Sequence, residues 1–293
     1  MIDSKAFIFV VLIVVVFVIG GLWTLSGGDS GASTTAFATE PEVPFDLNPE
    51  PVLPTPADSQ EDVAASQDHL PLMMRWSNWR PEFGPAYVYA RESDLGGMLN
   101  LDGPLEKMVM VVSYDELSRL MSHADELRAS GVTTVGLNTE NGLTPGNEMQ
   151  TLNSTDSELN IVARAARLAS DQGFKVVWGP IRATTDEVSD SAVLTMIESG
   201  MSGLAIQEQK FIENQPASAR LAAVNRTRER YLALADRAGV EGFSFHVQIM
   251  QQRCPDLNNC VQFVAGLEAI PVDSIAIWSN GPIPVDFVNA IRG

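Results

Sequence analysis

Short apolar runs alternating with amphipathic stretches, glycines just past the ends of three of those stretches, and a long uncharged N-terminal run together predict an α/β chain. Its expected form is a (β/α)8, TIM-barrel-like domain over 70–293, behind a single transmembrane helix (1–25) and an extended tether (26–69) rich in Pro, Ser and Gly. The chain has 293 residues and is 45% apolar, enough for one large core.

The anchor is read from Ala6–Leu25, where Phe, Val, Ile and Leu dominate and no charge occurs. An α-helix of that length, rising about 1.5 Å per residue, crosses a hydrocarbon core of roughly 30 Å. Trp23 near its far end suits the interface. A cleaved signal peptide is the competing reading. Its apolar region is normally shorter, and the nearest small-x-small motif, Ala36-Phe37-Ala38, lies well downstream, so a retained anchor is preferred. Lys5 and the amino terminus, set against Asp3, leave the C-terminal part outside the cell membrane as the simpler topology.

The tether follows, with prolines at 41, 44, 49, 51, 54 and 56. Such a stretch buries too little apolar area to offset its ordering entropy and favours extended polyproline geometry. It reads either as a plain spacer or as a strap whose apolar points, among them Phe37, Phe45 and Leu53, lie against a partner.

From Leu70 the rhythm becomes strand, loop, helix, glycine, strand. Strands are expected at Ala86–Ala90, Met108–Val112, Thr133–Leu137, Lys175–Trp178, Gly203–Ile206, Phe243–Ile249 and Ser274–Trp278, with an eighth around Leu70–Trp76. Helices are expected at Tyr114–Ala129, Glu158–Gln172, Ala217–Ala238 and Pro284–Ile291. Gly131, Gly173 and Gly239 stand where C-terminal caps belong. Repeated right-handed crossovers make the sheet parallel. Neither GxGxxG nor GxxxxGK[ST] occurs, so a barrel is preferred over a doubly wound nucleotide-binding sheet.

Polar residues gather after several strands: Asn138 and Glu140, Trp178 with Arg182, Gln207 and Glu208, His246 with Gln248, then Trp278 and Asn280. Amides that bond hydroxyls and indoles that stack on sugar faces suit a carbohydrate. The run Val132–Pro180 carries Asn138-x-Glu140, the turn Leu143-Thr144-Pro145-x-x-Glu148 and the ending Trp178-Gly179-Pro180. It resembles barrel domains of the glycoside-hydrolase kind, many without assigned activity, and the resemblance spans most of residues 80–293. It implies a barrel with a carbohydrate-directed mouth, and Glu140 with Glu208 as the catalytic pair.

The chain departs from that pattern. Glycoside hydrolysis needs two carboxyl groups facing one bond. Glu140 and Glu208 stand on strands that are not neighbours, and the last strand ends in Trp278-Ser279-Asn280 without a carboxylate. Histidine occurs only at 69, 123 and 246, which suggests no metal site and leaves His246 as a core histidine or a lone ligand-binding group. No cofactor is expected. Cys254 and Cys260, with five residues between them in a loop, read as a local disulfide and agree with export. A net charge of -18 without clustered Lys or Arg argues against nucleic acid.

Two functions remain. The preferred one is a non-catalytic accessory subunit of an integral membrane complex, for example a respiratory or photosynthetic one, held by anchor and tether in contact with lipid. The alternative is a cell-envelope glycosidase-like enzyme or carbohydrate-binding protein.

Overall fold

A computed structural model describes residues 70–84, 86–139, 151–208, 215–254 and 256–292. The expected anchor and tether, with Phe37, Phe45 and Leu53, lie outside the described residues, and so does Glu140. Among the described residues no helix is long and apolar enough to cross a membrane.

Eight strands form a closed parallel barrel in chain order: β1 Leu72–Arg75, β2 Ala86–Ala90, β3 Leu105–Val111, β4 Val132–Asn138, β5 Lys175–Gly179, β6 Gly203–Gln207, β7 Ser244–Met250 and β8 Ser274–Trp278. The seam is β8 against β1, with Ile275 opposite Leu72 and Ala276 opposite Met73. All seven expected strands are present, and the eighth, expected around Leu70–Trp76, is β1.

The helices are α1 Leu95–Leu99, α2 Tyr114–Met121, α3 Ala124–Ala129, α4 Ile161–Ser170, α5 Arg182–Glu187, α6 Asp190–Glu198, α7 Ala217–Arg237, α8 Leu257–Glu268 and α9 Val285–Arg292. Local chemistry sets their starts. The Ser113 hydroxyl accepts from Glu116 N at 3.1 Å, and the Glu116 carboxylate accepts from Val112 N at 2.8 Å. The Asn160 side chain accepts from Val162 N and Ala163 N while donating to the carbonyls of Leu152 and Ser154. Gly131, Gly173 and Gly239 have φ of 83°, 81° and 70°, the left-handed conformation that ends a helix without a Cβ clash.

The single helix expected over Tyr114–Ala129 is instead two. Ser122 N bonds both the Ser118 and Arg119 carbonyls, and His123 N bonds Leu120 O three residues back. This tighter turn stops the α ladder and restarts it at Ala124, so that Leu120, Met121, Ala124 and Leu127 all remain buried.

Strand alternation sorts the core into two shells. Outward residues such as Val109, Val135, Leu137, Val176, Leu204, Ile206, Val247 and Ile275 pack under the helices. Inward ones fill the barrel: Met73, Tyr89, Met108, Val177, Ala205 and Ala276, with Tyr87, Met110 and Trp278 against them. Gly136 is needed for that filling, because a Cβ there would sit 2.8 Å from Met108 Sδ.

Candidate functional site

The C-terminal ends of the strands open into a recess at the barrel mouth, with about 450 Å³ of empty space including its opening. Met73, Met108, Met110, Val177 and Ala205 make its floor, and Asn138, Gln207 and Gln248 bring three amides to its wall. Tyr89 and Trp278 face each other across β2 and β8 with ring planes 2° apart and centroids 6.3 Å apart. Burial raises the Tyr89 phenol above its ordinary range, against the pull of Arg75 and Arg91, so the hydroxyl stays protonated. Register explains the convergence: Gln207 pairs with Gln248, Gln248 with Ala276, and Met250 with Trp278. The lining contains hydroxyl, amide, thioether and aromatic groups but no carboxylate among the described residues. Among the described lining residues the polar groups are amides and a phenol held protonated, which offer hydrogen bonds to polar, uncharged faces.

Beside the recess, β1 and the turn after β2 are tied together by Asp94. Its carboxylate accepts from Arg75 Nε at 2.9 Å, Trp76 Nε1 at 3.0 Å and Arg91 N at 3.0 Å. Burial alone would raise this carboxyl, but the bonds from Arg75, Trp76 and Arg91 outweigh it and hold it below its usual range. Across the mouth, Gln252 Nε2 donates to Ser279 Oγ at 2.8 Å, linking the turn after β7 to that after β8. The Cys254–Cys260 disulfide is present in the first of these turns. Asn280 is exposed in the second.

Three of the expected binding residues therefore do not reach the mouth. Trp178 follows inward Val177, so it points out of the barrel; it is fully buried under the helices, with its Nε1 bonded to Thr139 Oγ1 at 3.2 Å. It has no face left for a sugar. His246 does point inward, but in the lower part of the barrel, where its Nδ1 lies 2.8 Å from Ser274 Oγ and its ring meets the edge of Tyr87 at 5.4 Å. Burial drives its pKa down to about 4, with Asp273 opposing and Lys175 reinforcing, so it is neutral. Arg182 stands behind β6, donating to Thr227 Oγ1 at 2.7 Å.

Glu208 also lies outside the mouth. One step beyond inward Gln207, it faces the helices and lies 3.4 Å from Arg182 Nε. Burial pushes its carboxyl up to about 7; Arg182 and Arg220 pull it down and Asp186 pushes it further up. Of the expected binding residues, Asn138, Gln207, Gln248 and Trp278 meet at the recess; Tyr89, the three methionines and Asp94 were not among those expected. Tyr87 and Tyr89, two residues apart on an expected strand, were the available sign of an aromatic inner face. Among the described residues no group of three His, Cys, Asp or Glu is placed to hold a metal ion.

No family model and no curated protein matches the chain. Among solved structures it is similar to protein CitE from Mycobacterium tuberculosis in complex with magnesium and pyruvate, at 12% identity over 76% of this chain and 89% of that one, with a TM-score of 0.45. It is also similar to a glycoside hydrolase family 17 β-1,3-glucanosyltransferase from Rhizomucor miehei, at 11% identity over 67% of this chain and 74% of that one, with a TM-score of 0.42. Likenesses this distant transfer no residue role, substrate or partner to the chain.

Proposed function

We propose that this chain is a membrane-anchored, extracytoplasmic barrel serving as a non-catalytic accessory subunit of a membrane protein complex. The observation that supports it best is the orientation of Glu208. Its carboxylate sits on the outer wall beside Arg182, and the mouth recess is lined by amides, thioethers and aromatic rings. A glycosidase pairing of Glu140 with Glu208 requires both carboxylates over one bond, and Glu208 faces away from the mouth. The uncharged run Ala6–Leu25 supplies the anchor, and Phe37, Phe45 and Leu53 supply apolar holding points along a tether whose prolines already restrict its backbone.

The test replaces Phe37, Phe45 and Leu53 together with Ser and follows co-purification from detergent-solubilised membranes. Each buried Phe or Leu contributes roughly 1.5–3 kcal/mol, so loss of all three should abolish stable association while membrane insertion continues. Association unchanged by the triple variant, or no stable partner for the unaltered chain, would return the tether to a plain spacer.

A second reading, binding of an uncharged carbohydrate at the mouth, is favoured by the parallel Tyr89 and Trp278 rings beside three amides. It stays within the non-catalytic class. Robust hydrolysis of any polysaccharide by the unaltered protein would overturn both readings.

A further inference from the structure

Behind β6, on the outer wall, lies a cleft separate from the mouth, with about 1280 Å³ of empty space counting its opening. Four arginines line it, Arg182 from α5 and Arg220, Arg226 and Arg230 from α7, against two carboxylates, Asp186 and Glu208. In a chain of net charge -18 this is a local excess of positive charge. Two of the four are committed to the protein. Arg182 is held by Thr227, Asp186 and Glu208, and Arg230 by Asp190 and the carbonyls of Thr185 and Val188.

The other two keep unused N–H donors. Arg220 is 99% buried by its 1% exposure; Nε donates to Gln215 O, Nη2 to Asn259 Oδ1, and the guanidinium stacks 4.3 Å over Phe263. Its Nη1 is buried without a hydrogen-bond partner. A buried, fixed and unpartnered guanidinium N–H is costly unless something accepts from it. Arg226 is exposed on the same cleft and makes no hydrogen bond or ion pair with any described residue. Beside them, Glu208 Oε1 is buried and likewise lacks a hydrogen-bond partner.

We propose that this outer cleft is an oxyanion-binding site that takes the carboxylate or phosphate group of a small molecule, held by Arg220 Nη1 and Arg226. Guanidinium–oxyanion hydrogen bonds are charge-assisted and directional, and Arg220 is already immobilised by its other contacts. The cleft opens to solvent beside the two donors, which leaves room for the body of a ligand as well as its charged end.

Glu208 tunes the affinity. The charged groups facing it are Arg182 and Asp186 from α5 and Arg220 from α7, with Arg226 and Arg230 further along the same cleft. Its carboxyl, with a pKa of about 7, is neutral below that pH, which removes one negative charge from the cleft. Binding of an anion is therefore tighter on the acid side.

The experiment titrates the full chain in detergent, calorimetrically, with inorganic sulfate, standing for a phosphate group, and separately with acetate; neither probe changes charge between about pH 6 and about pH 8. Both titrations are run at matched ionic strength, at about pH 6 and about pH 8, either side of the Glu208 transition. Saturable binding of one probe assigns the anionic group, phosphate or carboxylate. Arg226→Gln, at an exposed position that leaves the fold intact, should weaken binding about tenfold, as loss of a charge-assisted contact does. Glu208→Gln should remove the difference between the two pH values. The proposal is overturned if neither probe saturates, if potassium chloride competes as well as the probes do, or if Arg226→Gln binds as tightly as the unaltered chain. An unchanged pH dependence in Glu208→Gln overturns the tuning role.

Discussion

Glu208 and His246 are both held towards their neutral forms by burial, and they bias folding in opposite directions. Glu208 rises from 4.5 to about 7 on folding, so between those values the native chain keeps a proton that the unfolded one releases. Stability from this group falls as pH rises through that window and is flat outside it. His246 falls from 6.5 to about 4, so the unfolded chain takes up a proton that the native one refuses. Stability from that group is fully present above pH 6.5 and is lost as pH falls towards 4. Where the windows overlap the two slopes offset. Glu208→Gln removes one of them, and the melting temperature of that variant, followed by calorimetry, should climb with pH from 4.5 to 6.5, the overlap of the two windows. The difference in slope amounts to about 2–3 kcal/mol across that range. Identical profiles for variant and unaltered protein would show that Glu208 is ionised in the fold throughout. The sequence allowed both residues to be picked out as polar groups near strand ends, but not their facing. A parallel barrel strand is apolar on both sides, so its pattern does not mark which parity points inward, and a single step exchanges mouth for outer wall. Trp178 and Glu208 face outward, one step from inward neighbours, and Trp278 lines the mouth.

At the level of elements, the disulfide between Cys254 and Cys260 pins the turn after β7 to the first turn of α8, where Cys260 is buried. The sequence separation is 6, so the entropy removed from the unfolded chain is worth only about 2 kcal/mol. Reduction should lower the melting temperature by roughly 4–8 °C while far-UV dichroism at room temperature stays unchanged. Alkylation and mass spectrometry of the native protein should find one intrachain bridge; two reactive thiols would exclude it. Strands were the most legible elements, because β-branched runs bounded by Gly and polar residues admit few other readings. Helices preceded by a short polar stretch were legible in the same way, as with Ala217–Arg237. Arg182–Glu187 and Asp190–Glu198 were not read, since Val188 and Ser189 separate two pieces too short to show a clear apolar stripe. Leu257–Glu268 was hidden by the cysteine loop, whose Asp256 serves as its N-cap, accepting from Asn258 N at 3.0 Å.

For the whole molecule, the placement proposed above makes a direct prediction. Full-length protein should sediment with membranes, resist carbonate and be released by detergent, because an uncharged segment the length of Ala6–Leu25 partitions into lipid. A soluble mature form beginning near Thr39 would exclude the anchor. The closed circuit from β1 to β8 has a bearing on association too. Every one of the eight strands has both flanks occupied by a neighbour, so the barrel wall presents no row of free backbone N–H and C=O groups to an incoming strand. Recognition by strand addition is therefore closed to this wall, and so is the edge-to-edge polymerisation that open sheets risk when copies of one chain are crowded together. Any partner of the barrel must be selected by side chains on loops and helices, which gives association a chemical specificity that backbone pairing lacks.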